Sequence, residues 1–333
     1  MKKLLAWGMM FVLLLTVVTG CGGGSRNTGG TQDSAEKKVK LGIIQVAEHP
    51  ALDAAREGFL DTLADNGYVE GKNLIVDYGN AQGDQTALKT IAKKLVTGNC
   101  DLILAIATDS AQAVAAETTK IPILITAVTD PVAAKLVQSN EKPGTNVTGT
   151  NDMNPVKEQV ELLQKLAPKA KRIGVVYNAG EVNSVVQVDM VKDTASKAGL
   201  KVVEATVSNT SEVMQAAQSL VGRVDAIYIP TDNTVSSSVE SVIKVAEANA
   251  LPVVVGEAAM VDRGALATLG IDYNKLGKQT AEMALRVLKG EKPQEMPVEG
   301  QKDMELVLNM KAAQAMKVTI PEEMKAQAAR VIE

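Results

Sequence analysis

His49 is the sole histidine in a chain of 333 residues. A histidine-activated nucleophile would have to use it, and a multi-histidine metal site has nothing else to draw on. Cysteine chemistry is equally thin. Cys21 and Cys100 are the only two cysteines, too few for a zinc cluster. The sequence has no Gly-x-Ser-x-Gly elbow, no Gly-x-x-x-x-Gly-Lys loop, and no Gly-x-Gly-x-x-Gly turn after a strand. Carboxylates are plentiful, so acid–base work by Asp and Glu stays open as a lesser alternative.

The chemistry on offer is recognition. Polar, mostly uncharged residues gather where apolar runs end: Gln45 and His49, then Thr108 and Ser110, then Thr129 and Asp130. A second series holds Asn178, Asn183 and Ser184, then Asp232 and Asn233, then Glu257. Ser110 and Ser184 fall at expected helix N-termini, where free N–H groups and the helix dipole favour a carboxylate. Asp130, Asp232 and Glu257 suit an ammonium group, and a pocket with both kinds of partner suits a zwitterion. Each residue alone is an ordinary helix cap; clustering at equivalent strand ends favours ligand contact. Sugar sites usually want aromatic platforms, and aromatic residues are 2% of the chain. Phosphate wants Arg or Lys at strand ends, where only Arg263 is placed to serve. An amino acid or a short amide-like solute fits better than either.

The elements that must position these residues alternate between apolar strands and amphipathic helices, the pattern of a parallel α/β sheet. Leu41–Ile44, Leu74–Tyr78, Leu102–Ile106 and Ile121–Ala127 are expected strands, with helices over Ala51–Asn66, Gln85–Thr97 and Ser110–Thr118 between them. The series then restarts with strands at Arg172–Tyr177, Val202–Ala205, Ala226–Ile229 and Leu251–Val255. Asp101-Leu102-Ile103-Leu104 running into Thr108-Asp109-Ser110 is echoed by Asp225-Ala226-Ile227-Tyr228 running into Thr231-Asp232-Asn233. Ile121-Pro122-Ile123 is echoed by Leu251-Pro252-Val253. The expected fold is α/β with two Rossmann-like lobes of parallel sheet and a ligand cleft between the strand ends. The first lobe covers residues 38–150 plus about 274–295. The second covers 151–273 plus about 296–333. Closure of the lobes about a hinge would trap the solute.

Residues 1–20 read as a signal peptide, with Lys2 and Lys3 before an apolar run from Leu4 to Val18. The run ends in Val18-Thr19-Gly20-Cys21, which resembles a lipobox with Cys21 as the lipidated residue. Residues 21–37, rich in Gly, Ser and Thr, read as a flexible tether reaching roughly 20–25 Å. The mature chain is therefore expected on the extracytoplasmic face of the membrane, held by lipid. Net charge is −4 over the whole chain, becoming about −6 once Lys2 and Lys3 are removed. No basic stripe suggests nucleic acid. Neither a metal nor a cofactor is expected.

Longer strings carry a family resemblance. Gln45-x-x-Glu48-His49-Pro50-Ala51-Leu52-Asp53-Ala54, then Arg56-x-Gly58-Phe59, resembles the start of the tryptophan/tyrosine type of ABC transporter substrate-binding proteins. Ala107-Thr108-Asp109-Ser110, Val128-Thr129-Asp130-Pro131, Tyr177-Asn178-x-Gly180-Glu181-x-Asn183-Ser184, Pro230-Thr231-Asp232-Asn233 and Gly270-Ile271-Asp272-Tyr273 continue it. Asp109 stands where proline often follows the threonine. The resemblance implies a type I periplasmic-binding-protein-like fold, no enzymatic activity, and an ABC permease with its cytoplasmic ATPase as partners. It implies an aromatic amino acid as ligand, with Thr108, Ser110 and Ser184 on the carboxylate side and Asp232 with Asn233 on the ammonium side. Tyr78, Tyr177 and Tyr273 are the residues left to line a ring pocket. A lipid-anchored sensor that reports to a receptor is the competing use, and an extracellular enzyme the lesser one.

Overall fold

The computed structural model describes residues 38–333; the leader, Cys21 and the tether lie outside the described residues. The first stretch runs β1 (Val39–Gln45), α1 (Pro50–Asp65), β2 (Leu74–Asn80), α2 (Gln85–Thr97), β3 (Leu102–Ile106), α3 (Thr108–Glu117), β4 (Ile123–Val128) and β5 (Val147–Asn151). The second runs α4 (Val156–Leu166), β6 (Arg172–Asn178), α5 (Val182–Lys197), β7 (Lys201–Val207), α6 (Val213–Leu220), β8 (Ala226–Ile229), α7 (Asn233–Ser236), α8 (Val239–Ala248), β9 (Val253–Val255), α9 (Ala258–Asp262) and β10 (Ala267–Gly270). Then follow α10 (Tyr273–Leu288), β11 (Glu299–Gly300), β12 (Glu305–Asn309), α11 (Met310–Ala315), α12 (Glu322–Gln327) and β13 (Arg330–Ile332).

These strands form two mostly parallel sheets. One has the order β11-β5-β4-β3-β1-β2 and the other β13-β12-β10-β9-β8-β6-β7. In each, the first strand of the unit lies between the second and the third, so the chain winds outward in both directions. The connections after β1 and β3, and after β6 and β8, therefore part at the carboxyl ends and leave a crevice there. β3 and β4 are buried along their whole length, as parallel strands covered on both faces must be. Each sheet has its own apolar core, with Phe59 fully buried in the first and Tyr228 in the second.

Helix starts follow the local chemistry. Pro50 opens α1, where its missing N–H costs nothing. The Asp84 carboxylate caps α2 by accepting from Ala87 N, and Asp272 caps α10 by accepting from Lys275 N.

Three segments cross between the sheets: 152–155, 271–272 and 301–304. The last two are tied together. Gln301 Nε2 donates to the Asp272 carbonyl at 2.8 Å and Gln301 Oε1 accepts from Asp272 N at 3.2 Å. One boundary differs from the sequence expectation. The chain does not join the second lobe at about residue 296. Met296 and Val298 are buried in the first core, and β11 pairs with β5 through Glu299↔Thr150. Thr148 Oγ1 fixes this return by donating to the Met296 carbonyl at 2.8 Å. The chain rejoins the second sheet at β12, antiparallel to β10.

Candidate functional site

The carboxyl ends of the two sheets face each other around a cavity of about 10 Å³. The first unit supplies His49, Leu52, Ala127 and Thr129; the second supplies Asn183, Thr231, Asp232, Asn233 and Glu257; Asp152 and Tyr273 stand where the chain crosses between them. That volume holds one water at most, so any solute larger than water requires the walls to part. Outside lies an open acidic groove of about 1200 Å³, whose rim includes Glu48, Asp109, Glu117, Glu181 and Glu212 against Lys89.

Polar contacts bridge the two sides. His49 Nε2 sits 3.3 Å from Asn233 Oδ1, and Thr129 Oγ1 sits 3.5 Å from Thr231 Oγ1. His49 Nδ1 lies 3.8 Å from Glu257 Oε1, too far for a hydrogen bond, and has no protein partner. Glu257 Oε1 instead accepts from the Ser236 hydroxyl. No Lys or Arg lines the cavity, while Asp152, Asp232 and Glu257 do. Among the described residues, no group of three or more His, Cys, Asp or Glu is arranged to hold a metal ion.

Glu181, 4% exposed, organises the second unit's loops. Its Oε1 accepts from Thr234 N and Oγ1, and its Oε2 from Asn233 N and Nδ2 and from Asn183 Nδ2. Asp232 does similar work nearby. Its Oδ1 accepts from Val235 N at 2.8 Å, and its Oδ2 from Asn178 N and Ser184 Oγ, both at 2.6 Å. Burial, with Glu181 beside it, pushes the Asp232 carboxyl up to about 8.

The first unit holds backbone strain at the same level. Ala107, between β3 and α3, has φ 75, and Ala127 on the cavity wall has φ 55. A side chain at positive φ costs roughly 1–3 kcal/mol and persists where the surroundings over-determine it.

The structure brings His49, Thr129, Asn183, Asp232, Asn233 and Glu257 together on the cavity wall. It does not bring the other six expected residues there. Gln45 donates to Ala47 O and Asp53 Oδ1 and accepts from Arg56, so its amide is used up by α1 and the loop that leads to it. Asp130 caps a turn through Val132 N and Ala133 N. Asn178 faces the outer groove and donates to Thr234 Oγ1. The Ser184 hydroxyl is taken by Asp232. Thr108 and Ser110, in the first turn of α3, lie behind the wall with buried hydroxyls that have no protein partner. Of the three tyrosines, only Tyr273 reaches the cavity. Tyr78 is 42% exposed under the Arg56 guanidinium, and Tyr177 donates to Glu204.

Asp152 and Tyr273 had a signal that residue type alone did not convey: both sit at the sequence boundaries between units, and crossing segments floor the cleft. Asp152 is 3% exposed and accepts from the Tyr273 hydroxyl at 2.6 Å on Oδ2, while its Oδ1 has no protein partner. Burial raises the Asp152 carboxyl, and the bond from Tyr273 and the nearby Thr129 hydroxyl oppose that rise.

The sequence pattern of the ABC transporter substrate-binding protein family matches residues 40–332. A tyrosine-binding protein of Clostridioides difficile (strain R20291) is 46% identical over 314 residues, covering 92% of this chain and 90% of that one. A solved ABC domain from Streptococcus pneumonia in complex with L-Trp is 40% identical, with TM-score 0.86, covering 89% of this chain and all of that one. A ligand-free, open substrate-binding protein with adhesive properties from Clostridium difficile is 49% identical, with TM-score 0.68, covering 88% of this chain and 99% of that one. More distant solute-binding structures share the type I periplasmic-binding-protein-like fold. The chain belongs to the ABC transporter substrate-binding protein family.

Proposed function

We propose that the protein is the extracytoplasmic receptor of an ABC importer and captures an aromatic amino acid by closure of its two lobes. The observation that carries this is a cavity walled by both lobes, with carboxylates and buried unpartnered groups but neither Lys nor Arg. Such a wall suits an ammonium group and offers nothing for a phosphate. The unpartnered Thr108 and Ser110 hydroxyls in the first turn of α3 are suited to the carboxylate once the walls part. Leu52, Ala127 and Tyr273 supply apolar surface for a ring.

Two similarities favour the same reading. One relative is a tyrosine-binding protein, and one solved neighbour holds L-Trp. The overall shape lies nearer the L-Trp complex than the open protein, at TM-scores of 0.86 and 0.68, although the open protein is the more similar in sequence. Lobe arrangement is what such a reversal reports, and it supports a closed arrangement here.

Calorimetry with L-tyrosine, L-tryptophan and L-phenylalanine tests the ligand class. A dissociation constant around micromolar, or about −8 kcal/mol, is expected for at least one of them. Binding of a sugar or nucleoside with no response to any amino acid would sink the proposal. Among the described residues no helix is long and apolar enough to cross a membrane. Membrane attachment is proposed to rest on lipidated Cys21, on the strength of the lipobox-like Val18-Thr19-Gly20-Cys21. Replacing Cys21 by Ala should move the protein from the membrane fraction to the medium or leave it unprocessed; membrane-bound, correctly trimmed protein would contradict it.

A further inference from the structure

Three buried carboxylates line the inner cavity, and their surroundings differ. Asp232 is engaged on both oxygens by donors of its own lobe, which makes it a loop anchor. Glu257 accepts from Ser236 and faces His49. Asp152 alone has one oxygen bonded, to Tyr273, and the other buried with the Thr129 hydroxyl nearby but no donor at hydrogen-bond geometry. A buried carboxylate with an unmatched oxygen is costly, and a cationic group would offset that cost.

The position of Asp152 gives the site a second property. Asp152 belongs to the first crossing segment, and Tyr273 follows directly on the second. Their 2.6 Å hydrogen bond therefore joins two of the three segments about which the lobes must bend. Gln301 ties the second segment to the third. We infer that Asp152 is the acceptor for the ligand's ammonium group and that Tyr273 positions it, so that the cation is bound on the hinge itself. The inference rests on the amino-acid reading above and assigns its charge recognition to a residue outside the twelve expected from sequence.

Binding at this point links recognition to bending. An ammonium on Asp152 Oδ1 holds the first crossing segment, and Tyr273 transmits that hold to the second. Charge recognition is then met only when the crossing segments are in the closed geometry, so a solute without the amine closes the lobes less completely.

The test uses calorimetry on the processed protein with three probes: L-tyrosine, tyramine, which lacks the carboxylate, and 3-(4-hydroxyphenyl)propionate, which lacks the amine. The unaltered protein should bind the propionate at least about 100-fold more weakly than L-tyrosine, because a buried charged pair is lost. Asp152→Asn should weaken L-tyrosine and tyramine by about 30-fold or more while leaving the propionate within about threefold, collapsing the discrimination. Tyr273→Phe should keep the discrimination in reduced form, weakening the two amines by about five- to tenfold and the propionate little. A purely structural role would weaken all three probes alike in both variants. That outcome, or equal binding of L-tyrosine and the propionate by the unaltered protein, overturns the inference. If Asp152→Asn does not fold, Tyr273→Phe decides alone, and an unchanged ratio between amine and propionate overturns it. If the unaltered protein binds none of the aromatic amino acids, the amino-acid reading falls first and takes this assignment with it. If they bind and the variants keep the full ratio, only the assignment to Asp152 falls.

Discussion

Asp109 illustrates how one side chain senses both lobes. It sits in the first turn of α3, accepts from Gln85 Nε2 at 2.6 Å, and lies within the field of Glu181 on the opposite lobe. Burial, and then that like charge, push its carboxyl up to about 6. Unfolded, the same group titrates near 4. The folded protein therefore binds the proton more tightly, and the stabilisation is complete below about pH 4 and lost as pH rises through 6. It amounts to at most about 3 kcal/mol. Asp109→Asn keeps the acceptor for Gln85 and removes the charge. Its melting temperature should fall less than the parent's between pH 4.5 and 7.5, by a few degrees, in calorimetric scans. An identical pH profile for parent and variant would show that neither burial nor the Glu181 charge raises this carboxyl. Residue types at the strand ends were readable from sequence; their partners were not. Ser184 and Asp232 looked like two halves of a zwitterion site, yet the structure bonds them to each other. Glu181 was one strand-end acid among many until four donors from Asn233 and Thr234, far along the chain, and one from nearby Asn183 converged on it.

At the scale of elements, the contact between α1 and α10 holds the chain's return to the first lobe. It is unusually close. A Cβ added at Gly277 would lie 1.9 Å from the Ala55 carbonyl oxygen, and one at Gly58 would lie 2.2 Å from that of Asn274. Backbone rather than a yielding side chain is the obstacle in both places. Gly277→Ala should therefore destabilise by at least about 3 kcal/mol in urea unfolding, although alanine is the better helix former. A variant as stable as the parent would mean the helices can separate freely. The sequence placed residues 274–295 with the first lobe, and α10 packs in that lobe's core. The closeness was not legible, because periodicity says which face is buried and not how near two backbones come. β5 is the converse case. Its sequence, Val147-Thr148-Gly149-Thr150-Asn151, has too few apolar residues to read as a strand core. It is buried because Thr148 donates to the Met296 carbonyl and Thr150 pairs with the Thr280 hydroxyl, partners far along the chain. The two-sheet plan could be read because strand and helix periods alternate locally, whereas β12 and β13 depend on pairing with distant strands.

For the molecule as a whole, three crossing segments make bending between the lobes the natural motion, and the ties at Asp152–Tyr273 and Gln301–Asp272 hold those segments side by side. The inner cavity of about 10 Å³ then has a consequence for time rather than for affinity. An aromatic amino acid cannot diffuse into a space the size of one water, so capture must wait for the lobes to swing apart. The observed association rate should rise with ligand at low concentration and then level off at the swing frequency, on the microsecond-to-millisecond scale of domain motions. Stopped-flow or temperature-jump mixing with L-tryptophan would record that plateau in protein produced from residue 21 onward, which leaves Trp7, the chain's only tryptophan, out of the background. A rate still climbing linearly at the highest ligand concentration would mean the cavity fills by another path. Loosening the Gln301 tie should lift the plateau and shorten residence together, so the receptor's clock would be set at residues that never touch the cargo.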